Sequence, residues 1–477
     1  MRKRTVGLVA GGLALLLAGG VALAAGDFGL FVHQQLQSQS ERLFGVGRPL
    51  EGSSSQQVTQ TQAQADPTRL VTLAQGLHAR VVSTQAAPVS DQIALWPSDA
   101  DPQWLIMCNE EGTTAPGLQR VNVATGAAAT IVTGTTSCDP VRRTPWGSIL
   151  FGEEAGGGAS GGSMYELIDP LNTTGVTLDR ATGLFTGGTG AGNLVRRDAL
   201  GKLSFEGLGI LDNGVTYYGD ENRPSTGTPG GAYFKFVPST PYNPASGPIT
   251  TLSQSPYASG GSISGLRLGK RSGNTYYGQG SQTGFGVWVP VCSGAACNDI
   301  DLRAQTASLK LTGYYRPEDM DLDRGALADG SVRACGANTG NESDDQDWGE
   351  IICITDGTVS QATANTAVPE VQRLVEGSPA FAMPDNVAFQ PGRGNWVFHE
   401  DADTTYLTPH NNDLWDCLPD GADEDLQSDG CVRVATLNDL SAEWTGGIFD
   451  ATGTRFLVSV QHNISGEGTI LEITGWK

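Results

Sequence analysis

From about Leu70 onward the apolar residues fall in short runs separated by Gly, Asp, Asn and Pro. Examples are Gln103 to Cys108, Gly117 to Val123 before Ala-Thr-Gly, Tyr165 to Ile168 before Asp-Pro-Leu, Gly231 to Val237, and Phe456 to Val460 before Gln461. Short runs rich in β-branched and aromatic residues, bounded by turn residues, predict strands, and many of them in series predict a sandwich, barrel or propeller. Several neighbouring runs look like adjacent strands of one blade. One ends on an acidic or polar group, and the next is a β-rich run such as Tyr233 to Pro238 or Thr469 to Ile473. No strict repeat period accompanies them. The expected fold is all-β: a β-propeller of six blades with a short N-terminal helical segment, because radial blades aim their inner strand ends at one axial site.

The N-terminal pattern is different. Arg2-Lys-Arg4 precedes an apolar Gly/Ala/Leu-rich stretch, Thr5 to Val21, and Ala22-Leu-Ala24 offers a cleavage pattern, so residues 1–24 read as a secretory signal peptide. An uncleaved anchor is the alternative reading. Gly26 to Arg48 carries Phe28, Phe31, Leu36, Leu43 and Phe44 among Gln, Ser and Glu, which suits a short amphipathic helix. Glu51 to Asp66 is Ser/Gln/Thr-rich and reads as an exposed loop. The division expected is therefore 1–24 signal peptide, 25–66 helix and linker, 67–477 propeller. No later stretch has about 18 uninterrupted apolar residues, so no membrane span is expected after cleavage, and the location is periplasmic or secreted.

Strand ends carry the candidate chemistry. Thr144-Pro-Trp-Gly leads into an apolar run that closes on Glu153-Glu154; Gly214 to Tyr218 leads to Asp220-Glu221; Asn395 to His399 leads to Glu400-Asp401. Acids are depleted from strands, and two adjacent ionised ones repel. Glu153-Glu154 alone reads as a solvated strand end, but three such endings converging would make a cluster of oxygen ligands suited to a hard cation such as calcium.

Composition sharpens this picture. Gly is 65 and Pro 24 of 477 residues, and the formal net charge is −22. That balance disfavours nucleic acid as a partner, and an anionic substrate would need bound metal or a local arginine. Eight cysteines suit export. Nearest-neighbour pairing would join Cys292 to Cys297, Cys335 to Cys353 and Cys417 to Cys431, leaving Cys108 and Cys138 as plausible mates; it is one of about 105 connectivities.

The commoner hydrolase signatures fare poorly. None of His33, His78, His399, His410 and His462 forms H-x-x-x-H or H-x-H, which disfavours zinc. His399 would face away from Glu400 by strand alternation. Gly158-Ala-Ser160-Gly-Gly162 matches Gly-x-Ser-x-Gly formally, yet within Gly156 to Gly162 it reads as a loop lying close to a neighbour. Asp321 and Asp323 read as a solvated turn, and Ser343 to Asp347 and Asp420 to Asp429 as solvated acidic loops.

Taken in order, a set of segments resembles the PhoX-type alkaline phosphatases, secreted metal-dependent enzymes on a β-propeller. They are Leu105 to Glu110, Thr144-Pro-Trp-Gly through Glu154, Phe205-Glu206-Gly207, Tyr218 to Glu221 with Tyr233 to Pro238, Arg316-Pro-Glu318-Asp319, Asp385-Asn386, Glu400-Asp401, and Phe456 to Trp476. The resemblance runs from about Arg42 to the C-terminus. It implies hydrolysis of phosphate monoesters at an axial site that holds calcium and, in the best-known members, iron. Carried onto this chain, the metal ligands would be Glu154, Glu206, Glu318 and Asp220 or Glu221, with Asn109, Glu110, Asp385, Asn386, Glu400 and Asp401 as neighbours. Arg316 would hold phosphate oxygens. It stands two residues before Glu318, so both would face one side of an extended strand. A cysteine before Thr-Pro-Trp-Gly is an iron ligand in the family; Cys138 lies there, but the spacing appears one residue longer and Cys108 is a plausible disulfide mate, so calcium is expected and iron left open. A binding propeller without catalysis, or a phosphodiesterase or lactonase on the same site, are the other readings.

Overall fold

The computed structural model describes residues 28–269, 282–342, 347–402, 409–421 and 426–477, with 28–31 as backbone alone. The signal-peptide reading, and the acidic-loop readings over 343–346 and 422–425, fall outside the described residues.

The chain is all-β and propeller-like. Its strands form five hydrogen-bonded sheets among the described residues. The innermost strands run in a closed ring, each beside the next: Ser90–Trp96, Cys138–Arg143, Phe205–Ile210, Pro317–Leu322, Pro384–Phe389 and Glu443–Phe449, which returns to Ser90–Trp96. From each, the chain steps outward by antiparallel neighbours, as in Ser90–Trp96, Trp104–Asn109, Pro116–Asn122 and Ala128–Thr133. Short Gly/Asp/Asn turns permit only such local pairing. A nine-stranded sheet arises because the ten-residue strand Gly284–Ser293 pairs with Gly261–Leu268 on one side and with Glu370–Glu376 on the other.

The ring closes through the N-terminal part of the chain. His78–Ala86 adds to the C-terminal strand Gly468–Thr474, and Val71–Leu73 adds to Cys431–Leu437. Ladder hydrogen bonds between sequence-distant strands thus pin the start of the described chain to its last sheets, with His78–Ala86 and Val71–Leu73 as the outermost strands. The core lies between sheets: Trp444, Phe449, Phe456 and Trp476 pack with Phe44 and Val46, all buried. Each fully buried aromatic contributes on the order of 1.5–3 kcal/mol, so residues preceding the first strand are held firmly against the sheets.

The expected N-terminal helix is Phe28–Ser38 followed by Ser40–Leu43. The stretch read as an exposed loop contains a helix, Gln60–Ala65. Thr59 accepts from the Gln62 N–H, and the Gln62 side chain accepts from the Thr59 N–H. That capping box was legible as Thr-x-x-Gln and supplies the helix start that polarity alone conceals.

All eight cysteines pair with their nearest neighbours: Cys108–Cys138, Cys292–Cys297, Cys335–Cys353 and Cys417–Cys431. The third and fourth join directly opposed residues of antiparallel strands. Cys108–Cys138 ties one sheet to the innermost strand of the next.

Candidate functional site

One backbone irregularity recurs in every innermost strand, near its start in five of the six: two residues oppose one on the neighbouring strand. The pairs are Asp91-Gln92, Asp139-Pro140, Glu206-Gly207, Glu318-Asp319, Asp385-Asn386 and Gly446-Gly447. Such a bulge breaks the two-residue alternation and re-aims a side chain. In five of the six the first bulged residue is an acid, and all five acids are buried: Asp91, Asp139, Glu206, Glu318 and Asp385. Gly207 shows how tightly the strands approach, since a Cβ there would come 1.7 Å from the Met320 nitrogen.

A second tier comes from the ends of the neighbouring strands, where acids and amides come in pairs. The first member of each pair turns away from the axis and holds the backbone entering the innermost strand. Asn109 accepts from Val89 N–H (3.1 Å), Glu153 from Thr136 N–H (3.0 Å), Asp220 from Ser204 N–H (3.3 Å) and Glu400 from Ala382 N–H (3.1 Å). The following residue, one step along the strand, points the other way. Glu110, Glu154, Glu221 and Asp401 are those residues, each half-buried at the rim.

These carboxylates act on one another electrostatically. Oxygens of Asp91, Glu110 and Asp139 all lie within 4.8 Å of one another. At that separation two full charges repel by about 3–4 kcal/mol at an effective dielectric of about 20. Burial, and then the neighbouring acids, push Asp91, Asp139, Glu154, Glu206 and Asp385 well above the carboxylate range. Burial raises Glu110 to about 7 against a bond from Gln461, with Asp401 adding to it, and raises Glu318 to about 8 against the pull of Arg316. Glu443 joins this group through burial and Asp401, with His462 Nε2 3.3 Å from it.

Arg316 is the cation of this group. It contacts Glu221 at 2.7 Å and Glu318 at 2.9 Å. Burial works against its charge, but Glu318, Glu221 and Asp401 outweigh it and hold the guanidinium protonated. Alternation along an extended strand is not what joins Arg316 to Glu318. Arg316 precedes the strand in a left-handed turn, φ 56°, and Glu318 is bulged. The turn costs about 1–2 kcal/mol for a non-glycine residue. Ser137 and Met383 repeat it immediately before two other innermost strands. Asp319, the second bulged residue there, faces Arg142 at 2.9 Å and is neutralised by it.

Of the residues expected from sequence, Glu110, Glu154, Glu206, Glu221, Arg316, Glu318, Asp385 and Asp401 interact around the axis. Four are committed elsewhere. Asp220 is gripped by Arg303 at 2.7 Å. Glu400 accepts from Ala382 N–H, Asp413 N–H and Trp415 Nε1–H. Asn109 bridges Val89 and Pro116, and Asn386 accepts from Gly446 N–H. Cys138 is in its disulfide with Cys108, so it offers no thiolate for iron. Sequence reasoning missed Asp91, Asp139 and Glu443; Asp139 is not paired with a second acid, and only the register shift shows its aim. His399 packs on Phe456, where burial pushes it down to about 3.

The family model for alkaline phosphatase PhoX matches residues 190–463. The chain belongs to the PhoX alkaline phosphatase family. Among solved structures it is similar to Pseudomonas fluorescens PhoX in complex with vanadate, a transition state analogue, at 14% identity and TM-score 0.59, over 89% of this chain and 98% of that one. At that identity the likeness shows the fold. The PQQ-bound aldose sugar dehydrogenase from Streptomyces coelicolor follows at 12% identity and TM-score 0.41, over 84% and 99%. No curated protein matches.

A PhoX-type metal requirement can be tested against these side chains. Asp91 Oδ1 and both carboxylate oxygens of Asp139 are buried with no hydrogen-bond donor. Orphaned buried carboxylates are costly unless a cation or a proton meets them. The donor set is oxygen throughout, which fits a hard ion such as calcium. An iron held through Cys138 does not fit.

Proposed function

We propose that the protein is a secreted, calcium-dependent phosphatase that hydrolyses phosphate monoesters at the axial site. In this reading residues 67–477 are a six-bladed propeller, the nine-stranded sheet counting as two blades joined by Gly284–Ser293. Residues 25–66 are the N-terminal helix and linker, of which Leu36 to Ala63 pack on it, and 1–24 are removed on export to the periplasm or beyond. Membership of the PhoX family supports the activity. The observation that carries the site is the gathering of five buried acids from separate innermost strands, with Asp91 Oδ1 and both Asp139 oxygens donor-free and Glu318 paired with Arg316.

In this proposal Asp91, Asp139, Glu206, Glu318 and Asp385 form the deep cation-binding tier, and Glu110, Glu154, Glu221 and Asp401 the rim. Calcium bound there would neutralise the phosphate dianion and polarise its oxygens. Arg316, already held by Glu221 and Glu318, presents its remaining N–H groups to the equatorial phosphate oxygens, where charge grows during in-line displacement. Its partners fix the guanidinium before substrate arrives, so little reorganisation remains. The chain's net charge of −22 would otherwise repel the substrate, and the buried guanidinium with bound cations reverses that field locally.

The test is turnover of p-nitrophenyl phosphate by the full chain in calcium, after EDTA, and after calcium is restored. Arg316→Ala is expected to lower kcat about 10²–10³-fold with the fold intact, the scale for removing one transition-state donor. Activity insensitive to EDTA would refute the metal reading. No monoester turnover in calcium would leave a binding propeller. Turnover of a diester or lactone in its place would select the remaining alternative.

A further inference from the structure

Beside the rim lies a cavity of about 700 Å³, formed where the loop after Glu154, the loop after Glu221 and the helix Leu302–Ser308 meet. Ala155 and Asn222, each next in sequence to a rim carboxylate, line it, and Arg303 joins its wall to Asp220. Gly156 to Gly158 give one side as bare backbone. A Cβ on Gly157 would come 2.3 Å from Asp301 Oδ1, so glycine is what lets this loop lie against the helix.

The lining is polar in a particular way. Ser225, Thr228 and Asn222 line the space, as does the exposed Arg223, which has no ion-pair partner among the described residues. The apolar lining is alanine and proline, with no aromatic ring. The volume lies in the range of small-molecule sites. No aromatic side chain is there to stack on a flat ring, whereas hydroxyl, amide and guanidinium groups match a chain of hydroxyls.

Resting on the phosphatase reading above, we propose that this cavity is the subsite for the alcohol half of the ester, and that it favours phosphorylated sugars and polyols over aryl phosphates. Arg223 and Asn222 would hold the hydroxyls while the phosphate reaches Arg316. Asn222 is suited to couple the two, because its main-chain carbonyl accepts the Arg316 main-chain N–H at 3.2 Å and so ties the two backbones together.

The test compares glucose 6-phosphate with p-nitrophenyl phosphate, both for kcat/KM and for equilibrium binding by calorimetry, using calcium-loaded full-length wild type, Arg223→Ala and Ala304→Trp. Ala304 is exposed on the helix and lines the cavity, so the larger ring fills the space without entering the core. Arg223→Ala is expected to weaken the sugar ester about tenfold, the loss of one charge-assisted hydrogen bond, and to leave the aryl ester within about twofold. Ala304→Trp is expected to weaken the sugar ester further. Equal effects on both esters, or no effect on either, overturn the subsite. Preferential binding of the sugar ester without hydrolysis would overturn the phosphatase reading and leave the subsite standing.

Discussion

Glu318→Gln is predicted to stabilise the cation-free protein and to weaken its response to calcium. The glutamine keeps the acceptor that Thr339 and Arg316 both use, each at 2.9 Å, so shape and hydrogen bonding are largely retained. What changes is the proton. Glu318 rises from 4.5 to about 8 on folding. A carboxylate raised in this way supports the fold below its unfolded pKa and loses that support as pH climbs toward the folded value. At pH 7.5 the metal-free fold keeps a proton that the unfolded chain releases about 3 pH units lower, a cost of about 4 kcal/mol; at pH 5 it falls to about 1 kcal/mol. Over 477 residues, about 2.1 cal/mol/K per residue gives about 1 kcal/mol/K, so in EDTA at pH 7.5 the variant should melt about 4 °C above wild type. That gap should nearly close at pH 5. In excess calcium the gap should narrow by more than half, because binding at 100 times Kd adds about 2.7 kcal/mol to wild type and much less to a protein lacking one ligand. Melting curves at the two pH values, with EDTA and with calcium, decide it. A variant that melts below wild type in EDTA at both pH values would make Glu318 an ordinary partner of Arg316 and refute the cation argument.

The remaining predictions use the same geometry. Calcium binding should tighten as pH rises from about 6 to 8, because Glu110 at about 7 and Glu318 at about 8 must lose their protons first; calorimetry in buffers of different ionisation enthalpy should record proton release. Gly207→Ala should abolish turnover or folding, since its Cβ would meet the Met320 nitrogen at 1.7 Å, while Gly209→Ala, whose nearest contact is a leucine methyl at 3.3 Å, should be tolerated when both are compared by melting. Replacing both Cys108 and Cys138 with Ala should cost about 3–4 kcal/mol by the loop-closure relation for a separation of 30 residues, measured by denaturant titration.

Much of the fold was legible because it is local. Turn residues at short intervals, β-branched runs and neighbouring cysteines all report on residues close in sequence, and an antiparallel propeller-like fold is made of such pairings. The acidic cluster was legible by halves. Paired acids at strand ends flagged Glu154, Glu221 and Asp401, but the same rule promoted Asp220 and Glu400. Period-two alternation turns those two away from the axis, to the backbone N–H groups of Ser204 and Ala382. Asp91 and Asp139 gave no such warning. Each stands alone in its strand, and the bulged acids are separated by anything from 48 residues (139 − 91) to 112 (318 − 206), so no period links them.

The bulges explain why this division of labour is stable. A regular strand would leave successive side chains on opposite faces and bring one acid from each to the axis only if register and twist agreed around the whole ring. An extra residue in each innermost strand loosens that requirement, because the bulged side chain is freed from the pleat while the rest of the strand keeps its buried apolar face. The acid so freed finds no backbone donor of its own, as the bare oxygens of Asp139 show. The paired acid on the next strand, by contrast, is fully engaged in holding the bulge's entry. In the sheets that carry Asp91 and Asp139, a satisfied polar group, Asn109 or Glu153, fixes the turn, and an unsatisfied acid is what the turn presents. The second is where the proposed cation would bind, and the first fixes the backbone that presents it.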